Sequence, residues 1–154
     1  MRIGIVCPYS FDAHGGVQVH VMDLASELFR RGHEVQVLAP ASQDTDLPDW
    51  VTSAGDSIAI PYNGSVARLN FGALVARRAR RWLDAGDFDI LHIHEPITPS
   101  VGMLALQAAT GPVVGTFHAA MDRSLARELL SPATVPLMEK LSARIAVSEE
   151  ARRT

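Results

Sequence analysis

The chain has 154 residues, 47% of them hydrophobic, with a formal net charge of −3 and a single cysteine. That length and apolar content suit one buried core, so one domain over residues 1–154 is expected. The acidic balance argues against a general nucleic-acid binder, which needs surplus cations to neutralise phosphates, and a lone cysteine excludes a disulfide scaffold. No apolar run is long enough to span a bilayer, and no leader-like stretch precedes the first strand, so a cytoplasmic protein is expected.

In chain order, Ile3 to Cys7 predicts a buried strand with Cys7 as a reduced core residue. Pro8-Tyr9-Ser10 and the paired Gly15-Gly16 lead into a helix carrying Val17, Val21, Leu24, Ala25 and Leu28 at helical spacing, with Gly32 as its stop. This junction aims backbone N–H groups and the positive helix end above the strand, which favours a phosphate or other anion. Adjacent glycines admit positive φ and close main-chain approach, although their spacing is not that of G-x-G-x-x-G.

A second strand over Glu34 to Ala39 completes a βαβ unit. Residues 42–56 are polar, with Pro48 and Gly55, and read as a loop; Ser57 to Ile60 adds a short strand before Pro61. A helix from about Leu69 to Leu83, closed by Gly86, precedes an apolar strand from Phe88 to His94. Then follow a small-residue helix over Ser100 to Ala109, a Gly111-Pro112 turn and a strand from Val113 to Phe117. Helices are expected over Arg123 to Leu130 and Pro136 to Ala143, and a last strand over Ile145 to Val147 with Ser148-Glu149-Glu150 as the next cap. Such alternation predicts an α/β fold, a Rossmann-like doubly wound parallel sheet covered by helices on both faces.

Ligands of such sheets bind beyond the carboxyl ends of the strands. Those ends carry Tyr9 to Gly16, Tyr62-Asn63, His94-Glu95-Pro96 and Phe117-His118, a convergence of polar and aromatic groups that reads as one site. Alternate histidines at His92 and His94 share a strand face, as in some metal centres, with His118 and His14 as the further candidate ligands. No metal motif is completed, since Asp12 and Asp122 are isolated, and the preferred reading packs His92 in the strand and puts His94 and Glu95 in the cleft floor. No G-x-S-x-G elbow or other convincing nucleophile is present. Arg77, Arg78, Arg80 and Arg81 cover one arc of a helix whose opposite side gathers Phe71, Val75, Ala79, Trp82 and Leu83. Either this is an ordinary solvated face or, with no acid among the arginines, it meets an anionic partner; an anionic membrane surface then fits better than nucleic acid.

MRIGIVCPYSFDAHGGVQVHV, PYNGSVARLNFG, FDILHIHEP, GTFH and RIAVSEEARR together resemble the N-terminal half of retaining GT-B glycosyltransferases of family four. More narrowly, PYNGSVARLNFG and the arginine helix resemble the actinobacterial phosphatidylinositol mannosyltransferases. The resemblance covers essentially the whole chain. It implies transfer of mannose from GDP-mannose to the inositol ring of phosphatidylinositol, with retention of configuration, on the inner face of the plasma membrane.

Carried over by position, the resemblance puts Gly15 and Gly16 at the donor diphosphate. It puts Tyr9, Gln18, Tyr62, Asn63 and Arg68 around the phosphoinositol head, and His118 beside the reacting sugar. It implies no tightly bound cofactor, with Mg2+ the ion a sugar nucleotide would bring, and a second Rossmann domain absent from these 154 residues. On this reading the chain is the acceptor-binding half of an enzyme and is inactive alone. The competing expectations are a family-four enzyme with another acceptor, and a non-catalytic module that binds anionic membranes.

Overall fold

The computed structural model describes residues 1–62, 65–119 and 134–153, with the backbone alone at residues 62 and 65. Six strands form one parallel sheet: β1 (Arg2–Val6), β2 (Glu34–Ala39), β3 (Val51–Ser53), β6 (Ile90–His94), β7 (Val113–Phe117) and β8 (Leu141–Ala146). Their order is β3-β2-β1-β6-β7-β8, so the chain runs outward from the centre to one edge, then crosses back and runs to the other. That is the Rossmann-like doubly wound arrangement expected from the alternation. The reversal between β1 and β6 opens a crevice at their carboxyl ends.

Helix α1 (Gly16–Arg30) covers one face, where Val21 and Ala25 pack with Ile3, Ile5, Cys7, Val35 and Val37. Helices α2 (Ala73–Gly86) and α3 (Val101–Ala108) cover the other, where Trp82, Val75, Leu104 and Val101 meet Val6, Leu38, Leu91 and Ile93. Burial on both faces explains why the central strands read as continuous apolar runs. At the end of α1, Gly32 takes φ 82, a left-handed turn that most side chains resist, and the chain folds directly into β2.

The remaining elements depart from the sequence reading in identifiable ways. The segment expected to be all loop contains β3, whose Val37↔Val51 pairing covers the edge of β2. The short strand before Pro61 is β4 (Ile58–Tyr62), and it stands outside the parallel sheet. It pairs antiparallel with β5 (Ser65–Leu69), so the helix expected from Leu69 begins only at Ala73. Phe71 therefore precedes that helix and is exposed rather than part of its buried side. Near the C-terminus, residues 134–139 form a helix (α4) that ends before Leu141, where pairing on β7 draws the chain into β8. Helical spacing over Pro136 to Ala143 thus loses to strand pairing, a tertiary override of local pattern. A short helix α5 (Glu149–Arg152) follows the Ser148 cap, whose Oγ accepts from Ala151 N at 3.1 Å. The helix expected over Arg123 to Leu130 lies outside the described residues.

Candidate functional site

The site begins at the N-terminus of α1. Gly15 is the N-cap and has no side chain to cap with, so the first-turn N–H groups of α1 have no side-chain acceptor among the described residues. Neither glycine is left-handed: Gly15 is extended at φ −161, and Gly16 is not among the positive-φ residues, which corrects the conformational reason given from sequence. At Gly15 the need for glycine is one of space. A Cβ on Gly15 would lie 2.5 Å from Gln18 Oε1, whereas one on Gly16 would meet nothing within 4 Å and would project into open space. Gln18 Nε2 donates to the Ser10 and Ala13 carbonyls at 3.1 and 3.3 Å, which pins the loop after β1 over the helix start. That same loop holds the hairpin, because Ser10 N donates to the Arg68 carbonyl at 2.9 Å.

The carboxyl ends of β6 and β7 supply a histidine cluster. Register pairs His92 with Val114 and His94 with Thr116, so His92, His94 and the start of the next loop share the face covered by α1. His92 Nε2 meets Thr116 Oγ1 at 2.7 Å, and His94 Nδ1 meets His118 Nε2 at 2.7 Å. His92 stacks on His94 with ring centroids 4.6 Å apart. His20, from α1, sets its ring edge-on to His94 and His118 at 5.5 and 5.3 Å.

Burial, followed by the neighbouring imidazoles, pushes His92 down to about 4 and His94 also well below the ordinary histidine range. Burial and His20 push His118 down to about 4, so the rings of His92, His94 and His118 are neutral near pH 7. Glu95 is buried beside them in a left-handed conformation, φ 50. Its Oε1 accepts from His118 N at 2.6 Å and Ala119 N at 3.0 Å, which ties the segment leaving β7 to the end of β6. Burial raises its carboxyl pKa against these two donors.

His20, His94 and His118 offer nitrogens within 4.8 Å of one another, so they form the candidate ligand group for a cation. The 2.7 Å between His94 Nδ1 and His118 Nε2, however, is that of a shared proton. Two nitrogens on a tetrahedral zinc, each about 2.0–2.1 Å from the ion, would stand about 3.3 Å apart. The cluster as built is a hydrogen-bonded imidazole pair flanked by two further rings.

A cleft of about 580 Å3 joins these parts, and its lining includes Tyr9, Gly15, Gly16, Gln18, Arg68 and His118. Six residues singled out from sequence thus share one wall. The side chain of Tyr62 and the whole of Asn63 lie outside the described residues. Arg77, Arg78, Arg80 and Arg81 line none of this cleft. They are exposed on α2, opposite buried Val75, Ala79 and Trp82, and Arg78 Nη1 donates to the Ala54 carbonyl at 3.1 Å. His14, weighed with His92 and His94 for a metal, lines the cleft rim instead. The residue that sequence reasoning missed is His20. Its signal was the four-residue step from Gly16, which puts both on one side of α1.

Residues 14–154 match the family described as Glycosyltransferase Family 4. The chain belongs to that family. A phosphatidyl-myo-inositol mannosyltransferase of Mycolicibacterium smegmatis (strain ATCC 700084 / mc(2)155) is 58% identical over 153 residues, 99% of this chain and 40% of that protein. One of the same name from Propionibacterium freudenreichii subsp. shermanii is 42% identical over 158 residues, 98% of this chain and 42% of its own length. The chain therefore spans about two fifths of these curated relatives. Among solved structures, MurG of Acinetobacter baumannii superposes with a TM-score of 0.58 at 15% identity, over 97% of this chain and 42% of that one, a likeness of fold.

Proposed function

We propose that this family 4 chain is the acceptor-side half of a retaining mannosyltransferase that moves mannose from GDP-mannose to the inositol ring of phosphatidylinositol. The observation that carries the proposal is the single cleft uniting the uncapped start of α1, Arg68 and the His118 ring. A helix N-terminus and a guanidinium lining the same cleft suit the two kinds of phosphate in this reaction, the donor diphosphate and the phosphoinositol ester. The names of the two relatives support the same donor sugar class and acceptor. Gly16 leaves room for the diphosphate. Tyr9, Gln18 and Arg68 would hold the head group together with Tyr62 and Asn63.

The chemistry asked of this half is modest. Cys7 is buried and its thiol is pushed up to about 12, so it is no nucleophile. Transfer with retention proceeds when the leaving diphosphate is stabilised and the acceptor hydroxyl is held on the same sugar face. His118 is neutral, so it contributes a hydrogen bond and no charge. Mg2+ would enter only with the sugar nucleotide. The arginine face of α2 would hold the enzyme, as a peripheral protein, at the anionic inner surface of the plasma membrane where its lipid resides.

The test gives the full-length protein radiolabelled GDP-mannose with phosphatidylinositol, glycerophosphoinositol or phosphatidylcholine vesicles. Label in a mannosylated phosphatidylinositol supports the proposal. Label in the water-soluble head group alone assigns another acceptor, and no label with any of the three refutes the activity.

A further inference from the structure

We propose that His94 is a positioning residue that fixes the His118 ring as the tautomer protonated at Nδ1, so that His118 offers the cleft a hydrogen-bond donor and no basic lone pair. The inference rests on the functional reading above and deepens it by naming what His118 can recognise: an oxygen acceptor such as a sugar hydroxyl or a phosphate oxygen.

The argument is one of proton accounting. Both rings are neutral near pH 7, so the pair carries two ring protons on four nitrogens. One proton lies between His94 Nδ1 and His118 Nε2, 2.7 Å apart. If His118 donated it, the proton of His94 would sit on Nε2. That atom is buried and has no partner among the described residues, so it would be an orphaned buried N–H. If His94 donates from Nδ1, the orphan at Nε2 is a bare acceptor, the less unfavourable of the two because unpaired buried N–H groups are the rarer defect in folded proteins. His118 Nε2 then accepts, and its own proton must be on Nδ1, which has no partner among the described residues.

The surroundings hold this arrangement from both sides. His94 is fully buried and stacked on His92, whose Nε2 is itself engaged by Thr116 Oγ1, so the His94 ring has no freedom to turn its other nitrogen toward His118. On the His118 side, Glu95 grips the backbone N–H groups of His118 and Ala119 and fixes where the ring starts. His20 packs edge-on against both rings and is the remaining titratable neighbour. His94 reaches the cleft only through His118, and its effect is on which atom of His118 faces the ligand.

The experiment labels the full-length protein with nitrogen-15 histidine and reads each ring by long-range proton–nitrogen correlation near neutral pH, with His118→Gln used to assign the His118 signals. The expected spectrum shows His118 protonated at Nδ1 with a bare Nε2. His94→Phe, which keeps a ring without a donor, should return His118 to the Nε2-protonated form that a free histidine side chain favours. His94→Asn, whose amide can donate from near the Nδ1 position, should restore the Nδ1 form. Mannosyl transfer should follow the tautomer: kcat falls about tenfold or more in His94→Phe, with the acceptor KM little changed, and recovers in His94→Asn.

A wild-type spectrum with His118 protonated at Nε2 overturns the inference, whatever the variants do. An unchanged His118 spectrum in a folded His94→Phe protein also overturns it, because His94 would then set nothing. The spectrum needs no substrate. An Nδ1-protonated His118 in a protein that mannosylates no acceptor retires the functional reading alone, whereas transfer with an Nε2-protonated His118 retires only this one.

Discussion

Gly16 separates binding from folding at the level of one atom. Since a Cβ there meets nothing within 4 Å, Gly16→Val should leave the melting temperature of the full-length protein almost unchanged. The same branched side chain fills the space proposed for the diphosphate, and transfer should fall at least about tenfold. A variant within about threefold of wild type would remove the phosphate role. Gly15 behaves differently, because its Cβ would displace Gln18 and with it the loop from Ser10 to Ala13, so its replacement should cost stability as well. His92 and His94 carry a second prediction at this scale. Their pKa values are lowered in the folded state, so between the unfolded value of 6.5 and about 4 the unfolded chain binds more protons. Stability is therefore full above 6.5 and declines as pH falls, by up to about 1.4 kcal/mol per pH unit for each ring. Urea unfolding midpoints should drop between neutral pH and about pH 5, and a His92→Gln variant should flatten that slope.

Among the elements, α3 and α2 make opposite demands on their polar groups. Ser100 caps α3, accepting from Gly102 N at 3.1 Å while donating to the Thr98 carbonyl at 3.0 Å, and it is fully buried. Ser100→Ala should destabilise the protein by about 1–2 kcal/mol, because a first-turn N–H and a loop carbonyl both lose a partner away from water. Chemical denaturation measures this directly. The arginines of α2 are exposed, and replacing Arg77, Arg80 and Arg81, which among the described residues hold no such carbonyl as Arg78 does, should leave stability little changed while altering surface attachment. Vesicles containing phosphatidylinositol should co-sediment with the full-length protein at low salt and less so at physiological salt, and a variant with serine at Arg77, Arg78, Arg80 and Arg81 should lose that binding. Equal sedimentation of the variant, or equal binding to neutral phosphatidylcholine vesicles, would reduce the face to an ordinary solvated one. Arg78 should matter least of the four, since its guanidinium already donates to Ala54.

At the scale of the molecule, the doubly wound order brings the ends of β1, β6 and β7 to one crevice with α1 above them. On the proposed reading this chain supplies the acceptor side of the cleft, and one side alone cannot surround a sugar nucleotide or exclude water from it. The 154-residue chain on its own should therefore show no mannosyl transfer, in the assay where the full-length protein does. Turnover by the purified chain would show that one wall suffices and would overturn the division of labour proposed here.

Much of this organisation was legible in the residues themselves. The core strands announce themselves because burial on both faces demands apolar side chains throughout, and β2 and β7 fall at the boundaries read from the chain. Helix α1 was legible from its apolar spacing and from Gly32. Tyr9, Gly15, Gly16 and His118 are legible as strand-end and turn residues, a placement that follows once the sheet is parallel, whereas Gln18 and Arg68 enter only through the family resemblance. What no local pattern contained was pairing at a distance. β3 is too short to announce itself without the edge of β2, β5 exists because β4 folds back on it, and β8 replaces a helical pattern because β7 offers unpaired backbone groups. The histidine cluster belongs to the same class. His20, His92, His94 and His118 come from three elements, and the proton shared across the 2.7 Å between His94 and His118 exists only after β6 and β7 lie in register beneath α1. Sequence determines which chemistry each strand end can offer, because that is a property of side chains. Tertiary structure decides which nitrogen meets which, because hydrogen bonds are settled over tenths of an ångström and no spacing along the chain sets a distance between strands.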